Sequence, residues 1–522
     1  MAKNGVPSDQ TGMPIPAFDP PRKPKRNKYA LACALMASLA SILLGYDIGV
    51  MSGAIIYIVK DITMSDVEKE VVMGIINLIS LVGSFMAGRT SDWIGRRFTI
   101  IIAGSIFFVG ALLMGFATNY AFLMVGRIVA GIGVGFGMMI APVYTAEVAP
   151  ASVRGFLTSF PEVFINVGIL LGYVSNVAFA NLPHNLGWRF MFGVGIIPAI
   201  GIVVGALVMP ESPRWLVMQG RISEAKRVLD KTSDSPEESF LRLHDIKQAA
   251  GIPENCNDDD NVIVPASRAH HGEGVWRDLL CPTPVVLHIA MCAFGINVFQ
   301  QVSGIDSVVL YSPTIFEKAG IKGEKDKLLA TVSVGFTKTV FILVATFLVD
   351  RFGRRPLLLT SMGGMFVSLM ALATGLTVID NGPGQAGWAV ALCVVGVLSY
   401  VAFFSCGMGP VVWVYCSEIF PLKLRAQGVS TGVALNRVMS GTIGITFISL
   451  YKSVTIGGVF FLYGGLAAVA WVYIYVLLPE TRGRSLEETE ALFGGFYKWR
   501  STVKELDEKK KKEKKLEKGD NN

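Results

Sequence analysis

The chain has 522 residues, of which 52% are hydrophobic and only 17% are charged. A soluble protein carries about 25% charged residues, so this composition indicates a membrane protein and argues against a soluble enzyme. The formal net charge of +7 does not indicate nucleic-acid binding, because the basic residues are spread over loops that would share one side of a membrane.

The elements predicted in chain order are a tail, six spans, a polar segment, six more spans and a second tail. The first tail, 1–28, is polar and basic, without a signal peptide. Spans are predicted near 29–59, 70–88, 98–118, 121–145, 156–180, 188–209, 284–316, 327–349, 356–379, 387–416, 427–450 and 456–478. The segment 210–283 is expected to carry amphipathic helices at 223–231 and 236–250, and 479–522 is a polar tail. The expected fold is therefore an all-α membrane protein with twelve transmembrane helices, divided into bundles at 29–209 and 284–478.

The short loops alternate in charge along the chain. One set contains Arg89, Arg96, Arg97, Arg154, Arg351, Arg354, Arg355, Lys423 and Arg425 and is joined by both tails and 210–283, whereas the other set has lysines in three loops and no arginine. Positively charged loops stay in the cytosol, so both termini and 210–283 are predicted to be cytosolic, with the plasma membrane as the expected location.

The two halves of the sequence repeat each other in the same order. The matched pairs are Gly45-Tyr46-Asp47 with Gly304-Ile305-Asp306, residues 92–97 (DWIGRR) with 350–355 (DRFGRR), Glu147 and Arg154 with Glu418 and Arg425, and Pro210-Glu211-Ser212 with Pro479-Glu480-Thr481. A parallel repeat of six helices is the architecture of major facilitator transporters, whose substrate site lies between the halves.

Four of these stretches resemble the signatures of the sugar porter family of the major facilitator superfamily. They are residues 88–97 (GRTSDWIGRR), 210–216 (PESPRWL), 300–306 (QQVSGID) and 479–483 (PETRG). Residues 160–166 (FPEVFIN) and the segment around Lys338 are similar to the plant polyol/monosaccharide transporter branch. The resemblance implies symport of protons with linear polyols of the sorbitol, mannitol, xylitol or inositol type, or with monosaccharides, by alternating access. It implies no cofactor besides the coupling proton, no nucleic-acid partner and a monomeric transport unit in the lipid bilayer.

Asp47 is the only charged residue in the first span. A carboxylate in hydrocarbon is unfavourable by several kcal/mol unless it is protonated, paired or hydrated, so Asp47 is a candidate proton carrier. Its neighbours Gly45, Gly49, Ser52 and Gly53 are small and would let other helices approach closely. The alternative is a structural carboxylate held by a buried basic residue.

Arg127 is the predicted partner of Asp47. At 1.5 Å per residue it lies about 10 Å below the outer end of the fourth span, at a depth similar to that of Asp47. A guanidinium favours the charged form of a carboxylate, so a switch between paired and unpaired states would couple proton binding to helix movement. The resemblance assigns this role to the matching aspartate and arginine. The alternative is a permanent ion pair that fixes helix register.

The substrate-binding candidates follow from the resemblance. Gln300, Gln301 and Asn436 match positions that hydrogen-bond sugar hydroxyls, for which amides suit because they both donate and accept. Trp413 matches a tryptophan that stacks on the substrate. The alternative for these residues is a structural role between helices.

Three charged residues depart from the hexose-porter pattern. Glu162 replaces a usual glutamine, and Asp306 and Lys338 each replace a usual asparagine. They suggest a buried network that selects open-chain polyols, in which Lys338 pairs with Asp306 or, alternatively, with Glu162. The other interpretation is mutual charge compensation without substrate contact. Arg437 is a further intramembrane charge for which the sequence names no partner.

Acidic and basic residues at the cytosolic helix ends are interpreted as conformational latches. The sets are Asp92, Arg96, Arg97, Glu147, Arg154 and Arg214 in the first half, and Asp350, Arg354, Arg355, Glu418, Arg425 and Glu480 in the second. They are expected to hold the outward-open state and to break in the inward-open state. The alternative is simple anchoring at the membrane surface.

Two other functions remain open at this stage. A facilitative sugar uniporter has no need of the carboxylate of Asp47, and a non-transporting sugar receptor usually carries a longer signalling extension than 479–522. An enzyme is not expected, because no nucleophile or phosphate-binding motif is present. No metal site is expected either, since His270 and His271 have no further ligand pattern.

Overall fold

The computed structural model describes residues 27–150, 153–250, 252, 282–382, 387–421, 424–481 and 493. The side chains of Arg154, Asp350 and Arg425 lie outside this description, as do His270, His271 and most of both tails. The regular elements of the described residues are α-helices.

The first half contains α1 (Lys28–Asp61), α2 (Asp66–Ile94), α3 (Arg96–Gly115), α4 (Tyr120–Val148), α5 (Arg154–Thr158), α6 (Phe160–Phe179), α7 (His184–Val194) and α8 (Ile196–Val208). The middle segment contains α9 (Pro213–Met218), α10 (Ile222–Thr232) and α11 (Pro236–Ala250). The second half contains α12 (Pro284–Val302), α13 (Ile305–Leu310), α14 (Ser312–Lys318), α15 (Glu324–Phe352), α16 (Arg354–Asn381), α17 (Gly387–Cys406), α18 (Met408–Ile419), α19 (Arg425–Val454) and α20 (Ile456–Leu477).

Twelve stretches of the described helices are long and apolar enough to cross a bilayer, as the sequence predicts. Four of these spans are divided into two helices, α5–α6, α7–α8, α12–α13 and α17–α18, where the sequence predicts continuous spans. Gly304 shows the physical reason in the seventh span. Its φ is +90°, and an added Cβ would lie 2.4 Å from the ring of Tyr463. Broken spans of this kind expose main-chain groups at membrane depth, where transporters build their binding sites.

Polar side chains fix where the first helices begin. Ser65 and Glu68 form a capping box at the start of α2, and Asn119 caps α4. Asn27 caps α1 and also donates from Nδ2 to the carbonyls of Lys231 and Ser233, which attaches the end of α10 to α1. The structure therefore has helices at both predicted amphipathic segments, and α10 lies beside the membrane bundle.

The small residues predicted to permit close packing lie against α6. A Cβ added to Gly45 would be 1.9 Å from the carbonyl oxygen of Ile165, and one added to Gly49 would be 2.4 Å from that of Ile169. At Gly53 it would be 2.4 Å from Nδ2 of Asn176. This approach of α1 and α6 fixes the depth and orientation of Asp47.

The helix ends define two sides of the molecule. We call the side with the connections at 95, 149–153, 209–212, 353 and 420–424 the arginine-rich side, and the side with 62–65, 116–119, 319–323 and 455 the opposite side. The two halves meet mainly through α2 with α19 and α6 with α15. At the opposite side, ion pairs join Lys60 to Glu324 and Asp66 to Lys452. Among the described residues, the hydrogen bonds and ion pairs that connect the halves lie on the opposite side or near mid-depth.

Candidate functional site

Asp47 and Arg127 form a fully buried ion pair. Nη1 of Arg127 lies 2.8 Å from Oδ1 and 2.6 Å from Oδ2 of Asp47, and the two side chains are 0% and 1% exposed. The contact predicted from helix depth is therefore present. Removing one partner of such a pair leaves a buried charge uncompensated, at a cost of about 3–5 kcal/mol.

Arg127 connects this pair to a third helix. Its Nε donates to the carbonyl of Val72 at 3.0 Å, and its Nη2 lies 3.5 Å from the carbonyl of Met73, both on α2. A movement of the Asp47 carboxylate would therefore be transmitted through Arg127 to α2, one of the helices that contact the second half.

The three predicted amide residues form one hydrogen-bond network. Asn436 accepts at Oδ1 from Nε2 of Gln301 at 3.0 Å, and it donates from Nδ2 to Oε1 of Gln300 at 2.6 Å and to the carbonyl of Asn297 at 3.2 Å. Nε2 of Gln300 donates to the carbonyl of Met408, at the break between α17 and α18. The network joins α12, α18 and α19, so the structure supports the predicted grouping and also its structural alternative.

Three other candidates keep part of their surface exposed at membrane depth. Glu162, Asp306 and Trp413 are half-buried, on α6, α13 and α18 respectively. Because α6 belongs to the first half and the other two helices to the second, these side chains lie in different halves.

The predicted pairing of Lys338 with Asp306 is not formed. Among the described residues, no carboxylate lies within 4.0 Å of Nζ of Lys338, which stands 5.8 Å from the ring centroid of Phe404. Asp306 instead accepts a hydrogen bond from Oγ of Ser440. Both Glu162 and Asp306 lie close enough to interact electrostatically with Lys338, and neither forms an ion pair with it in the described structure.

A compact network of acidic and basic residues connects the helices of the first half at the arginine-rich side. Arg96 donates from Nε and Nη2 to Glu147 at 3.0 and 3.2 Å. Glu211 accepts from the backbone N–H groups of Arg96 and Arg97, and its burial raises the pKa of its carboxyl above the ordinary value. A glycine is required at position 95 for two reasons. Its φ is +98°, and a Cβ would lie 2.4 Å from Oε2 of Glu211.

The second half repeats this network with the equivalent residues. Arg354 donates from Nη2 to Glu418 at 2.7 Å, and Glu480 accepts from the backbone N–H groups of Arg354 and Arg355 at 3.0 Å each. The hydroxyl of Thr481 donates to Glu418 at 2.7 Å, as that of Ser212 donates to Glu147. Among the residues that the structure describes, the contacts of each network join helices of one half.

The side chains of the other predicted latch residues make different contacts. Asp92, at the end of α2, is 77% exposed and lies 3.2 Å from Arg96, at the start of α3. Arg214 is exposed and has no partner among the residues that the structure describes. Arg97 and Arg355 donate to main-chain carbonyls of Ala206 and Tyr475. The side chains of Arg154, Asp350 and Arg425 lie outside the described part.

Sequence reasoning missed Glu70 and the role of Glu211. Glu70 is 2% exposed on α2, and its two oxygens accept from the backbone N–H and the hydroxyl of Ser449 on α19, each at 2.6 Å. The contact joins the halves on the opposite side. Glu70 is the first residue of a predicted span, and a charged residue there is expected at the membrane surface. The only sequence signal for Glu211 is that it repeats in the second half as Glu480.

We predict that Glu70→Ala opens the opposite side of the molecule. Hydrogen bonds to a charged group contribute about 1.5–3 kcal/mol each, so their loss favours separation of α2 from α19. A cysteine placed at Leu78, whose side chain contacts Gly441 of α19, reports this as faster reaction with an impermeant thiol reagent added from that side. Glu70→Gln is the matched control, because its amide can both accept from the N–H and donate to the hydroxyl. Equal labelling rates for the alanine variant and the parent would show that the contact of Glu70 with Ser449 does not hold this side closed.

Twelve spans in two similar halves, with buried charge pairs and an amide network between helices, define a secondary transporter of the major facilitator superfamily and not an enzyme. A family profile described as "Sugar (and other) transporter" matches residues 33–493. The chain belongs to this family.

Relatives and solved structures agree with this assignment. The chain is 62% identical over 484 residues to "Polyol transporter 5" of Arabidopsis thaliana, covering 92% of this chain and 89% of that protein. It is 34% identical to "Glucose transporter GlcP" of Staphylococcus epidermidis over 89% of this chain and 97% of that protein. The structure of the proton:xylose symporter XylE bound to 6-bromo-6-deoxy-D-glucose superposes with a TM-score of 0.72 at 28% identity, covering 89% and 99% of the two chains. An inward-open structure of XylE from E. coli gives a TM-score of 0.71 at 27% identity, covering 89% and 100%.

Proposed function

We propose that the protein is a proton-coupled symporter that carries polyols and monosaccharides across the plasma membrane by alternating access. The observation that carries the proposal is the buried pair of Asp47 and Arg127 in the first and fourth spans. An intramembrane carboxylate with a single arginine partner is suited to bind a proton when the pair separates. No organic cofactor or metal takes part in this scheme.

Polyols are the proposed substrates because of the polar groups at membrane depth. Amides, carboxylates and an indole supply acceptors, donors and an apolar face for a polyhydroxy chain. The names of the Arabidopsis relative, a polyol transporter, and of the bacterial relative, a glucose transporter, support linear polyols and monosaccharides as the substrate class. Gln300, Gln301, Asn436, Trp413 and Glu162 are the proposed binding residues, together with Asp306 and Lys338.

Alternating access is proposed to move the bundles 29–209 and 284–478 against each other, with 210–283 between them. The positive-inside rule assigns the arginine-rich side to the cytosol. In that orientation the described conformation is closed to the outside by the contacts of Lys60, Asp66 and Glu70 with the second half. The contacts of Arg96 with Glu147 and of Arg354 with Glu418 are formed in this same state. Each of these two pairs lies within one half, and we propose that they make each half move as one unit.

The proposed orientation predicts opposite accessibility for two exposed positions. A cysteine at Asp230, on α10, is expected to react with an impermeant reagent only after the cells are permeabilised. A cysteine at Lys322, on the opposite side, is expected to react in intact cells. Strong labelling at 230 from outside intact cells would contradict the proposed orientation. A fluorescent fusion at the C terminus tests the plasma-membrane location.

The substrate class is tested by uptake of labelled sorbitol, inositol and glucose into cells expressing the protein, at two external pH values. We expect uptake of at least one polyol that rises as the outside is made more acidic. Uptake that does not respond to pH would indicate a uniporter, and absence of uptake for all three compounds would contradict the proposed substrates.

A further inference from the structure

Arg437 is a buried charge in the second half that the proposed mechanism leaves unused. It is 9% exposed on α19, beside Asn436 of the amide network. A buried arginine with a purely structural role is expected to satisfy its donors, since each unsatisfied buried polar group costs about 1–3 kcal/mol.

Arg127 and Arg437 differ in this respect. The guanidinium of Arg127 binds the carboxylate of Asp47 and reaches two main-chain carbonyls. That of Arg437 makes one hydrogen bond among the described residues, from Nη2 to Oδ1 of Asn436 at 2.8 Å, and its buried Nε has no partner. The environment of Arg437 is therefore poorly suited to hold the side chain for stability alone.

The single hydrogen bond of Arg437 completes the set of hydrogen bonds made by the amide of Asn436. Oδ1 of Asn436 accepts from both Gln301 and Arg437, and Nδ2 donates to Gln300 and to a main-chain carbonyl. With two donors at one end and two acceptors at the other, the amide of Asn436 has one orientation. Gln300 and Gln301 are held by the same amide, so Arg437 fixes the geometry of all three.

Arg437 also balances charge at the same place. Arg437 and Lys338 both interact electrostatically with the two carboxyl groups of this region, Asp306 and Glu162. The hydroxyl of Ser440, one turn beyond Arg437 on α19, donates to Asp306. The four charged groups, two acidic and two basic, compensate one another in sum without forming ion pairs in the described structure.

We infer that Arg437 is a substrate-positioning residue that sets the affinity for hydroxyl-rich neutral substrates. It orients the amides of Asn436, Gln300 and Gln301 toward substrate hydroxyls, and its positive charge lies near the carboxyl group of Asp306. The inference rests on the proposed function, because it assumes that these amides bind the substrate.

The test compares Arg437→Gln, Arg437→Lys and the double variant Arg437→Gln with Asp306→Asn in proteoliposomes, using labelled sorbitol and glucose. Arg437→Gln is expected to raise KM for sorbitol at least about tenfold, which corresponds to about 1.4 kcal/mol, with a much smaller change in the maximal rate. Arg437→Lys is expected to fall between this variant and the wild type, because it restores the charge without the planar fork.

The double variant separates positioning from charge balance and guards against a folding defect. It keeps the local charge neutral, so we expect normal amounts of folded protein with KM still raised. A double variant with the KM of the wild type would overturn the inference, as would single variants that lower only the amount of protein or the maximal rate. If the wild type itself transports neither compound, the proposed substrate class fails instead, and the two failures are distinguishable.

Discussion

Asp47→Asn is expected to abolish uphill accumulation of substrate while leaving the protein in the membrane. The asparagine keeps the shape of the side chain at its 1% exposed position but cannot carry a proton. The charge of Arg127 is then uncompensated, although its contacts with the carbonyls of Val72 and Met73 remain. Uptake of labelled polyol at acidic external pH, measured against the inside concentration, tests this.

The matched control is Asp61→Asn on the same helix. Asp61 also has an arginine partner, Nη1 of Arg189 at 2.9 Å, but it lies at the membrane edge and is partly exposed. We expect this control to accumulate substrate and to keep its response to acid. Exchange of labelled for unlabelled substrate should persist in Asp47→Asn, which separates lost coupling from lost folding. An Asp47→Asn variant that still concentrates substrate, with acid still stimulating it, would exclude Asp47 as the proton site.

Lys338→Met is expected to lower transport at least about tenfold, and adding Glu162→Gln is expected to restore most of it. Removing the lysine leaves the carboxylate of Glu162 without its strongest cationic neighbour, at a cost of several kcal/mol. Replacing both residues by neutral groups of similar size removes that cost. Initial uptake rates normalised to the amount of protein at the membrane are the measurement.

Two comparisons make the Lys338 experiment specific. The double variant of Lys338→Met with Asp306→Asn should not recover, because Asp306 accepts a hydrogen bond from Ser440 and forms no ion pair with Lys338 in the observed arrangement. Lys327→Met removes a buried lysine of the same helix whose partner is Glu317 at 2.9 Å, and its effect should be small. Recovery with Asp306→Asn in place of Glu162→Gln would reinstate the pairing first predicted from the sequence.

The sequence predicted best the features that depend on distance along a helix. The depth of Asp47 and Arg127 follows from the number of residues to the membrane surface, and the repeat of the acid-base motifs marks equivalent positions in the two halves. The Asp47–Arg127 contact and the parallel networks of Arg96 and Arg354 are accordingly present.

The features that the sequence did not predict depend on how helices are rotated and where they break. The spacing of Asp306 and Lys338 gives their depth but not the direction in which each side chain points, and the ion pair predicted between them is not formed. The break at Gly304 re-aims Asp306 toward Ser440. The hydrogen bonds between Glu70 and Ser449 join residues far apart in sequence. Both residues lie at the ends of spans, where a charge is usually exposed, so the sequence did not indicate the contact.

Accumulation of labelled sorbitol by the purified wild-type protein in liposomes, driven only by an imposed pH gradient, tests the central claim most directly. With the external side acidic, we predict that the internal concentration rises transiently above the external one and that a protonophore abolishes this rise. Equilibration of sorbitol to equal concentrations, at the same rate with and without the gradient, would contradict proton-coupled symport.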